Sequence, residues 1–375
     1  MEKRILLSSP TMHGEELEFV HEAFDRNWIA PLGFNCDGFE SETIEYINDK
    51  DMHAVCLSSG TAALHLAVKL AGVKQGDTVI ASDMTFSASI NPAAYEKANI
   101  VLVDSERETW NMDPQALEVA LKKHPEAKAV ILVHLYGIPA KMKEIVELCE
   151  RYDVALIEDA AEALSATYQD KHCGTFGDYN AYSYNGNKII TTSGGGMLVT
   201  KTKEDRDKAL FWATQAREPF PWYQHEELGY NYRMSNVVAG IGRGQLVHLE
   251  EHRDLKEKIY FRYKEGLANL PCTMNPYLEG TRPNFWLSCL LIDEDSTVTP
   301  LDILNALNEA NIESRPIWKP MHMQPYFSDC EFVALSDNPI DEDIFARGLC
   351  LPSDIKMTEE EQDRVIEVIA SCFNK

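Results

Sequence analysis

From about residue 53 onward, short apolar runs alternate with amphipathic segments, and this alternation restricts the possible folds more than any other feature. The runs HAVCL, DTVIASD, NIVLVDS, AVILVHLYG and VALIED are rich in Val, Ile and Leu, and helix-like stretches such as TAALHLAVKLAGV separate them. Strands that are apolar on both faces and connected by helices form parallel sheets covered on both sides. The sequence therefore predicts an α/β fold with a mostly parallel sheet sandwiched by helices.

The flanking sequence predicts further helices and a second, smaller unit. GEELEFVHEAFDRN has the pattern of an N-terminal helix, WIAPLG that of a loop, and residues 235–270 that of one long helical stretch interrupted near Gly242 and Gly244. Beyond it, NFWLSCLLID predicts a strand and TPLDILNALNEANI a helix, which open a smaller α+β unit. We place the boundary near residue 248, giving a large domain over 1–248 and a small C-terminal domain over 249–375.

Composition and charge argue against several functional classes. The formal net charge of -25 disfavours nucleic acid as a partner, because phosphate binding usually needs a basic face. The nine cysteines are scattered without a C-x-x-C pair, which indicates reduced thiols. The N-terminal apolar run is too brief for a secretory signal, and no stretch approaches the roughly 18 apolar residues of a membrane helix. We expect a soluble, cytoplasmic protein without a membrane partner or a metal.

Candidate ligand-binding residues follow the predicted strands, because open parallel sheets bind ligands at the carboxyl ends of their strands. In SSGTAAL, Gly60 permits close backbone approach and Thr61 begins a helix whose N-terminus favours an anion. An ordinary Ser or Thr helix cap is the alternative, and the Gly-Lys-Ser/Thr ending of a P-loop is missing. In EDAAEAL, alternation sends Glu158 and Asp159 to opposite faces, so one carboxylate can reach the crevice, or Asp159 simply caps a helix.

Three more residues gain meaning only in combination. Phe86 could stack on a flat cofactor or pack in the core, and Ser183 could bind a phosphate or satisfy the backbone. Lys188, in NGNKIITTSGGG, either extends its ammonium to water or has a chemical role in a closed site. Pyridoxal phosphate requires an anion cradle, an aromatic plate, an acid that keeps the ring nitrogen protonated and a lysine for the covalent link. The ordered set, with Asp159 preceding Lys188, predicts this cofactor.

At this point the chain resembles the DegT/DnrJ/EryC1/StrS family of fold-type-I, pyridoxal-phosphate-dependent sugar aminotransferases, nearly end to end. The motifs WIAPLG, SSGTAAL, EDAAEAL, GTFGDYNAYSYNGNKIITTSGGGMLVT, GYNYRMSN and WKPMHMQPYF occur in family order. The NGNKIITTSGGG form is similar to the branch acting on nucleotide-linked 4-keto-6-deoxy sugars. Within that branch the chain looks most like the UDP-4-amino-4,6-dideoxy-N-acetylglucosamine transaminases of the bacillosamine pathway.

The resemblance assigns roles residue by residue. It implies that Lys188 forms the Schiff base with pyridoxal 5′-phosphate and that Asp159 pairs with the pyridinium nitrogen. The other implied cofactor contacts are Gly60, Thr61 and Ser183 on the phosphate, Phe86 against the ring, and Asn231 reaching the phosphate from the neighbouring subunit of a homodimer. The implied substrate contacts are Trp28, Ile29, Ala30, Pro31 and His322 on the nucleotide sugar, with Arg233 and Arg315 as candidate partners of its pyrophosphate or of the donor carboxylate.

One position departs from the family pattern. Many relatives carry Gln or His where this chain has Glu162, three residues after Asp159, and a neutral group there can donate to the cofactor's phenolic oxygen. An ionised carboxylate would repel a phenolate. We therefore hypothesise that the pKa of Glu162 is raised and that it shares a proton with that oxygen.

The implied reaction is ping-pong transamination from L-glutamate to C4 of a nucleotide-linked 4-keto-6-deoxy sugar, with UDP-2-acetamido-2,6-dideoxy-hexos-4-ulose as the expected acceptor, in polysaccharide biosynthesis or protein glycosylation. Three alternatives remain open. A sugar dehydratase of the same fold is disfavoured because such relatives replace the lysine by histidine. A non-catalytic cofactor-binding regulator and an α/β protein without this cofactor are the others.

Overall fold

The computed structural model describes residues 3–374, which form helices and strands in an α/β arrangement. The helices are α1 (Glu15–Asp25), α2 (Phe34–Ile47), α3 (Gly60–Leu70), α4 (Asn91–Tyr95), α5 (Pro114–Lys123), α6 (Met142–Tyr152), α7 (Lys203–Ala213), α8 (Asn236–Leu246), α9 (Leu249–Gly266), α10 (Pro300–Glu309), α11 (Ile340–Arg347) and α12 (Glu359–Phe373). The strands are β1 (His53–Leu57), β2 (Thr78–Ser82), β3 (Asn99–Val103), β4 (Ala129–Val133), β5 (Ala155–Asp159), β6 (Thr167–Tyr168), β7 (Lys171–His172), β8 (Tyr179–Ser183), β9 (Gly196–Thr200), β10 (Cys272–Met274), β11 (Thr281–Arg282), β12 (Cys289–Ile292), β13 (Arg315–Pro316), β14 (Glu331–Val333) and β15 (Gly348–Cys350).

The central sheet has eight strands in the order β1-β9-β8-β5-β4-β2-β3-β14. Strand β9 pairs antiparallel with both of its neighbours, and the other pairings are parallel. The carboxyl ends of β1, β2, β4, β5 and β8 therefore open at one edge of the sheet. The predicted α/β fold with a mostly parallel central sheet is confirmed.

Helices cover both faces of this sheet, which explains why its strands are apolar throughout. Helices α3, α4 and α7 pack on one face, and α2, α5, α6 and α8 pack on the other. Every residue of β2 and β4 is buried. Successive residues alternate between the two apolar layers, as with Val79 in one and Ile80 in the other.

The long helical stretch breaks at a different place from the one predicted. Gly242 and Gly244 lie inside α8, and the interruption falls at Val247 and His248, between α8 and α9. A Cβ atom on Gly242 would lie 2.5 Å from the Phe39 ring, and one on Gly244 would lie 2.5 Å from a backbone nitrogen of α1. These glycines therefore let α8 pack closely against α1 and α2, and they do not end the helix.

The C-terminal part forms a smaller antiparallel sheet, in the order β10-β12-β15-β13, covered by α9, α10 and α12. Two segments cross the predicted division at residue 248. Strand β14 belongs to the large sheet, where it pairs parallel with β3. In the other direction, Ile5 bridges Ile312 and packs in the core of the small unit. The N-terminal segment thus joins the smaller unit, because its apolar side chain is buried there.

The nine cysteines are free thiols, as the sequence pattern predicted. Among the described residues, the helices are all too short or too polar to cross a lipid bilayer.

Candidate active site

A cavity of about 660 Å³ opens at the carboxyl edge of the central sheet and is closed on the far side by residues of the smaller unit. Parallel strands end together there, so side chains far apart in sequence meet. Eight of the predicted site residues line the cavity: Gly60, Thr61, Phe86, Asp159, Glu162, Ser183, Lys188 and Arg315. The sheet topology therefore brings together the expected cofactor residues of a single chain.

Lys188 lines this cavity and lies between an acid and an aromatic ring. Its Nζ lies 3.4 Å from Oε1 of Glu162 and 4.0 Å from the centroid of the Trp286 ring. The side chain is 12% exposed. The amine thus faces the cavity and does not extend into bulk water, and among the described residues Lys188 is the lysine that lines this cavity.

Glu162 is buried beside this amine. Its Oε2 accepts a hydrogen bond from the backbone N–H of Tyr136 at 2.6 Å. Burial raises the pKa of the Glu162 carboxyl from 4.5 to about 7, although the neighbouring Lys188 ammonium acts to lower it. The direction of this pKa shift agrees with the hypothesis made from the sequence. Sharing of the proton with a cofactor oxygen stays a prediction.

Asp159 ends β5 and turns its carboxylate toward the cavity. Its Oδ2 accepts a 2.6 Å hydrogen bond from Ser89 Oγ, and its Oδ1 accepts one from the Ala161 N–H at 3.0 Å. The carboxylate is buried, accepts one hydrogen bond on each oxygen and lines the cavity, where it can face a cation such as a protonated ring nitrogen.

Glu158 points to the opposite side of the sheet, as alternation predicted. Its carboxylate accepts hydrogen bonds from His134 Nε2 at 2.8 Å and from the backbone N–H of Gly174, Phe176 and Gly177 at 2.6–2.7 Å. Burial acts to raise its pKa, but these donors hold the pKa below its ordinary value. Glu158 is therefore a structural carboxylate that fixes the 173–177 turn.

The N-terminus of α3 forms an anion cradle with Ser183. Ser59 caps the helix by accepting from the Ala62 N–H at 3.0 Å. A Cβ atom on Gly60 would lie 3.0 Å from Ser183 Cβ, so only a glycine leaves the serine and the free backbone N–H groups close together. This geometry fits a phosphate monoester, and together with Lys188 and Asp159 it provides each contact that pyridoxal phosphate requires.

Phe86 lies on the wall of the cavity with two aromatic residues that the sequence analysis missed. Its ring is 56% exposed and lies 5.6 Å from the ring of Trp318, which lies 6.2 Å from that of Trp286. Ser89, the partner of Asp159, was also missed. Trp286 and Trp318 come from the C-terminal half of the chain. Their positions in the segments NFWL and WKPM were the only sequence features that could have pointed to them as cavity residues.

The remaining predicted contacts lie outside the cavity of this chain. The loop containing Trp28, Ile29, Ala30 and Pro31 is exposed, as is Asn231, whose backbone pairs with Thr214. Asn231 was assigned to the neighbouring subunit's site, and that role stays a prediction.

Two predicted substrate residues are occupied by structural partners. Arg233 is buried, and its Nη1 contacts Oε1 of Glu40 and the carbonyl of Cys56, both at 3.3 Å. It shares the buried Glu40 carboxylate with Arg206, whose Nη2 lies 2.7 Å from Oε2. His322 lies outside the cavity, with Nδ1 at 2.5 Å from Asp83 and Nε2 at 3.2 Å from Glu342. Neither side chain is placed against a ligand in the cavity. The structure thus places these two residues outside the cavity of the single chain, and their role at the substrate stays a prediction.

Comparison with known proteins agrees with this geometry. The model of the DegT/DnrJ/EryC1/StrS aminotransferase family matches residues 10–370. Bacillus subtilis EpsN, itself provisionally described as a pyridoxal phosphate-dependent aminotransferase, is 49% identical over 100% of this chain and 97% of its own. The GDP-perosamine synthase of Caulobacter vibrioides is 37% identical, with 98% and 97% covered.

A solved structure extends the comparison to the fold. The aminotransferase TlmJ of Streptoalloteichus hindustanus superposes with a TM-score of 0.90 at 26% identity, covering 99% of both chains. The agreement spans both the large sheet and the smaller unit. The chain therefore belongs to the DegT/DnrJ/EryC1/StrS aminotransferase family and is a sugar aminotransferase that uses pyridoxal 5′-phosphate.

Proposed function

We propose that the protein transfers the amino group of L-glutamate to C4 of a nucleotide-linked 4-keto-6-deoxy sugar by ping-pong transamination. The observation that carries this proposal is the position of Lys188 Nζ, 3.4 Å from Glu162 in a cavity that also contains Asp159 and the α3 cradle. Bound pyridoxal phosphate supplies an electron sink for the carbon that loses its proton.

Each cavity residue then has a defined task. The Lys188 amine, once released from its covalent link, removes a proton from Cα of the amino donor and later returns one to C4 of the sugar. Asp159 holds a proton at the cofactor's ring nitrogen, while Ser183 and the N-terminus of α3 bind the phosphate. Arg315, 58% exposed and 2.6 Å from Glu313, is the cavity cation for the donor carboxylate or the sugar pyrophosphate.

The test uses the purified holoenzyme and its visible absorbance. Adding L-glutamate should shift the cofactor absorbance, and adding keto sugar should restore it. Lys188→Ala should lose both the shift and the borohydride-reducible absorbance, whereas Lys74→Ala, at an exposed site outside the cavity, should behave as wild type. Repeated turnover by Lys188→Ala would refute the assignment, and turnover to a deoxygenated sugar would instead support the dehydratase.

We propose UDP as the nucleotide, with 2-acetamido-2,6-dideoxy-hexos-4-ulose as the sugar. The similarity to a GDP-perosamine synthase favours GDP as the second candidate. Measuring kcat/KM for UDP- and GDP-linked 4-keto-6-deoxy sugars decides between them. A GDP preference of tenfold or more would overturn the UDP proposal while leaving the transamination intact.

We further propose a homodimer in which Asn231 completes the partner's phosphate site. Its exposure supports this, as do the exposed Trp222 and Tyr223 in the adjacent loop. Mixed refolding of Lys188→Ala and Asn231→Ala chains should restore activity, because one site of the mixed dimer is then intact. Mixing Lys188→Ala with Asp159→Asn should not restore it, since both residues belong to one chain's cavity. Equal outcomes for the two mixtures would refute the shared site.

A further inference from the structure

Three histidines meet where the N-terminal segment reaches the start of α9, outside the active-site cavity. His13 stacks on His248 with ring centroids 3.6 Å apart, and its Nε2 lies 2.7 Å from Nε2 of His252. We call His13, His248, His252 and the neighbouring Glu251 the histidine cluster. Nothing in the proposed transamination uses these residues.

The donor atoms of the histidine cluster lie close enough together to become ligands of one ion. Because the His13 and His248 rings are stacked at 9°, the His248 ring must turn before both lone pairs meet at that ion. One ring nitrogen each of His13 and His248 and one carboxylate oxygen of Glu251 lie within 4.8 Å of one another. Ligands of one ion at bond lengths of about 2.0–2.2 Å lie roughly 3–4 Å apart. His248 and Glu251 lie three residues apart at the start of α9, and the Glu251 side chain is 59% exposed, so it can rotate to close the remaining distance.

The buried member, His252, fixes the protonation of His13. Its Nδ1 lies 2.7 Å from the carbonyl oxygen of Ile189, so Nδ1 carries a proton and donates it. Its Nε2 then accepts from the Nε2–H of His13, which leaves the lone pair of His13 on Nδ1. Ligating histidines typically have such a partner, which holds the other ring nitrogen protonated and orients the ring.

We propose that the histidine cluster binds one divalent transition-metal ion, with Zn²⁺ the best match, through His13, His248 and Glu251. Two imidazoles and one carboxylate form a borderline-soft set that suits zinc more than Mg²⁺ or Ca²⁺. Glu15, whose Oε2 lies 3.3 Å from Nε2 of His248, adds a second negative charge nearby. The sequence analysis expected no metal, and His13 is far from α9 along the chain.

The consequence is a link between the N-terminal segment and α9. Leu7 and Ser8, just before His13, line the active-site cavity, and Ser8 Oγ donates to the carbonyl of Asn187, next to Lys188. On the other side, His252 contacts Ile189. A bound ion therefore stabilises the strap of residues 5–13 where it covers the catalytic lysine.

The experiment is equilibrium dialysis of the holoenzyme against Zn²⁺, with metal counted by mass spectrometry. Wild type should retain one more zinc per chain than His13→Gln or Glu251→Gln, and each variant should bind Zn²⁺ at least about tenfold more weakly. His21→Gln, an exposed histidine on α1, is the matched control and should bind as wild type. Any zinc bound at the cofactor is present in the wild type and in all three variants, so it does not affect the difference in zinc content between them.

Glu251→Gln keeps the proposal testable if His13→Gln fails to fold, because Glu251 is at the surface. As a second readout, Co²⁺ should give wild type the visible bands of a nitrogen- and oxygen-ligated ion, and both variants should lack them. Equal zinc retention in wild type and both variants would overturn the proposal and leave the histidines as a proton-linked stack. Neither measurement depends on the amino acceptor, so failure here is distinct from failure of the proposed function.

Discussion

Replacing Glu162 by Gln tests the electrostatics of the active site most directly. In the cofactor-free protein the carboxyl is buried 3.4 Å from Lys188 Nζ, and its pKa is raised from 4.5 to about 7. The folded state therefore binds this proton more tightly than the unfolded chain does. The resulting stability is fully present below pH 4.5 and is lost as the pH rises through about 7.

The size of the effect follows from the pKa difference. At about 1.4 kcal/mol per pH unit, the full loss is about 3 kcal/mol, and about 2–3 kcal/mol of it falls between pH 5 and pH 8. Gln cannot ionise, so Glu162→Gln should lack this decline. The attraction between Lys188 and the ionised Glu162 carboxylate is already contained in the pKa of about 7, so it adds no separate slope.

The assay is urea unfolding of the cofactor-free wild type and variant at pH 5, 6, 7 and 8, followed by circular dichroism and tryptophan fluorescence. The free energy of unfolding of Glu162→Gln minus that of wild type should rise by about 2–3 kcal/mol from pH 5 to pH 8. Glu18→Gln, on the exposed face of α1, is the control and should show no such rise. A difference that stays constant within about 0.5 kcal/mol would refute the reasoning.

Two further predictions separate cofactor binding from folding. Gly60→Ala places a methyl group 3.0 Å from Ser183 Cβ and should weaken pyridoxal phosphate binding at least about tenfold, the equivalent of one lost hydrogen bond. Equilibrium dialysis measures the affinity for pyridoxal phosphate, with Gly186→Ala as the control. An unchanged affinity of Gly60→Ala would refute phosphate binding by the N-terminus of α3 and Ser183. Glu40→Gln should destabilise the fold by about 3–5 kcal/mol because it removes the carboxylate that both the buried Arg233 and the half-buried Arg206 contact. The affinity of Glu40→Gln for pyridoxal phosphate should stay within about twofold of wild type. A large drop in this affinity would instead support a role for Arg233 in the active site.

Local signals in the sequence were sufficient for the sheet and for the cofactor residues that follow its strands. Asp159 ends β5, and Lys188 follows β8 by five residues. Both could be placed at the cavity because the carboxyl ends of parallel strands meet at one edge of a sheet. Trp286 and Ser89 could not, since nothing local shows that the smaller unit places an indole over the lysine or that a serine donates to Asp159. The contact of Arg233 with Glu40 could not be predicted for the same reason. Its partner, Glu40, lies in a helix that the sequence pattern did not connect to it.

The insertion of β14 into the large sheet has a consequence for how the chain is made. Strand β3 pairs along its outer edge, from Val101 to Val103, with residues 331–333. During translation the ribosome releases β3 long before its partner exists, so an apolar strand edge stays open while most of the protein is synthesised. Truncation before residue 331 would make that exposure permanent and leave a template for intermolecular pairing. Solubility of the nascent protein thus depends on the pairing of residues 331–333 with β3.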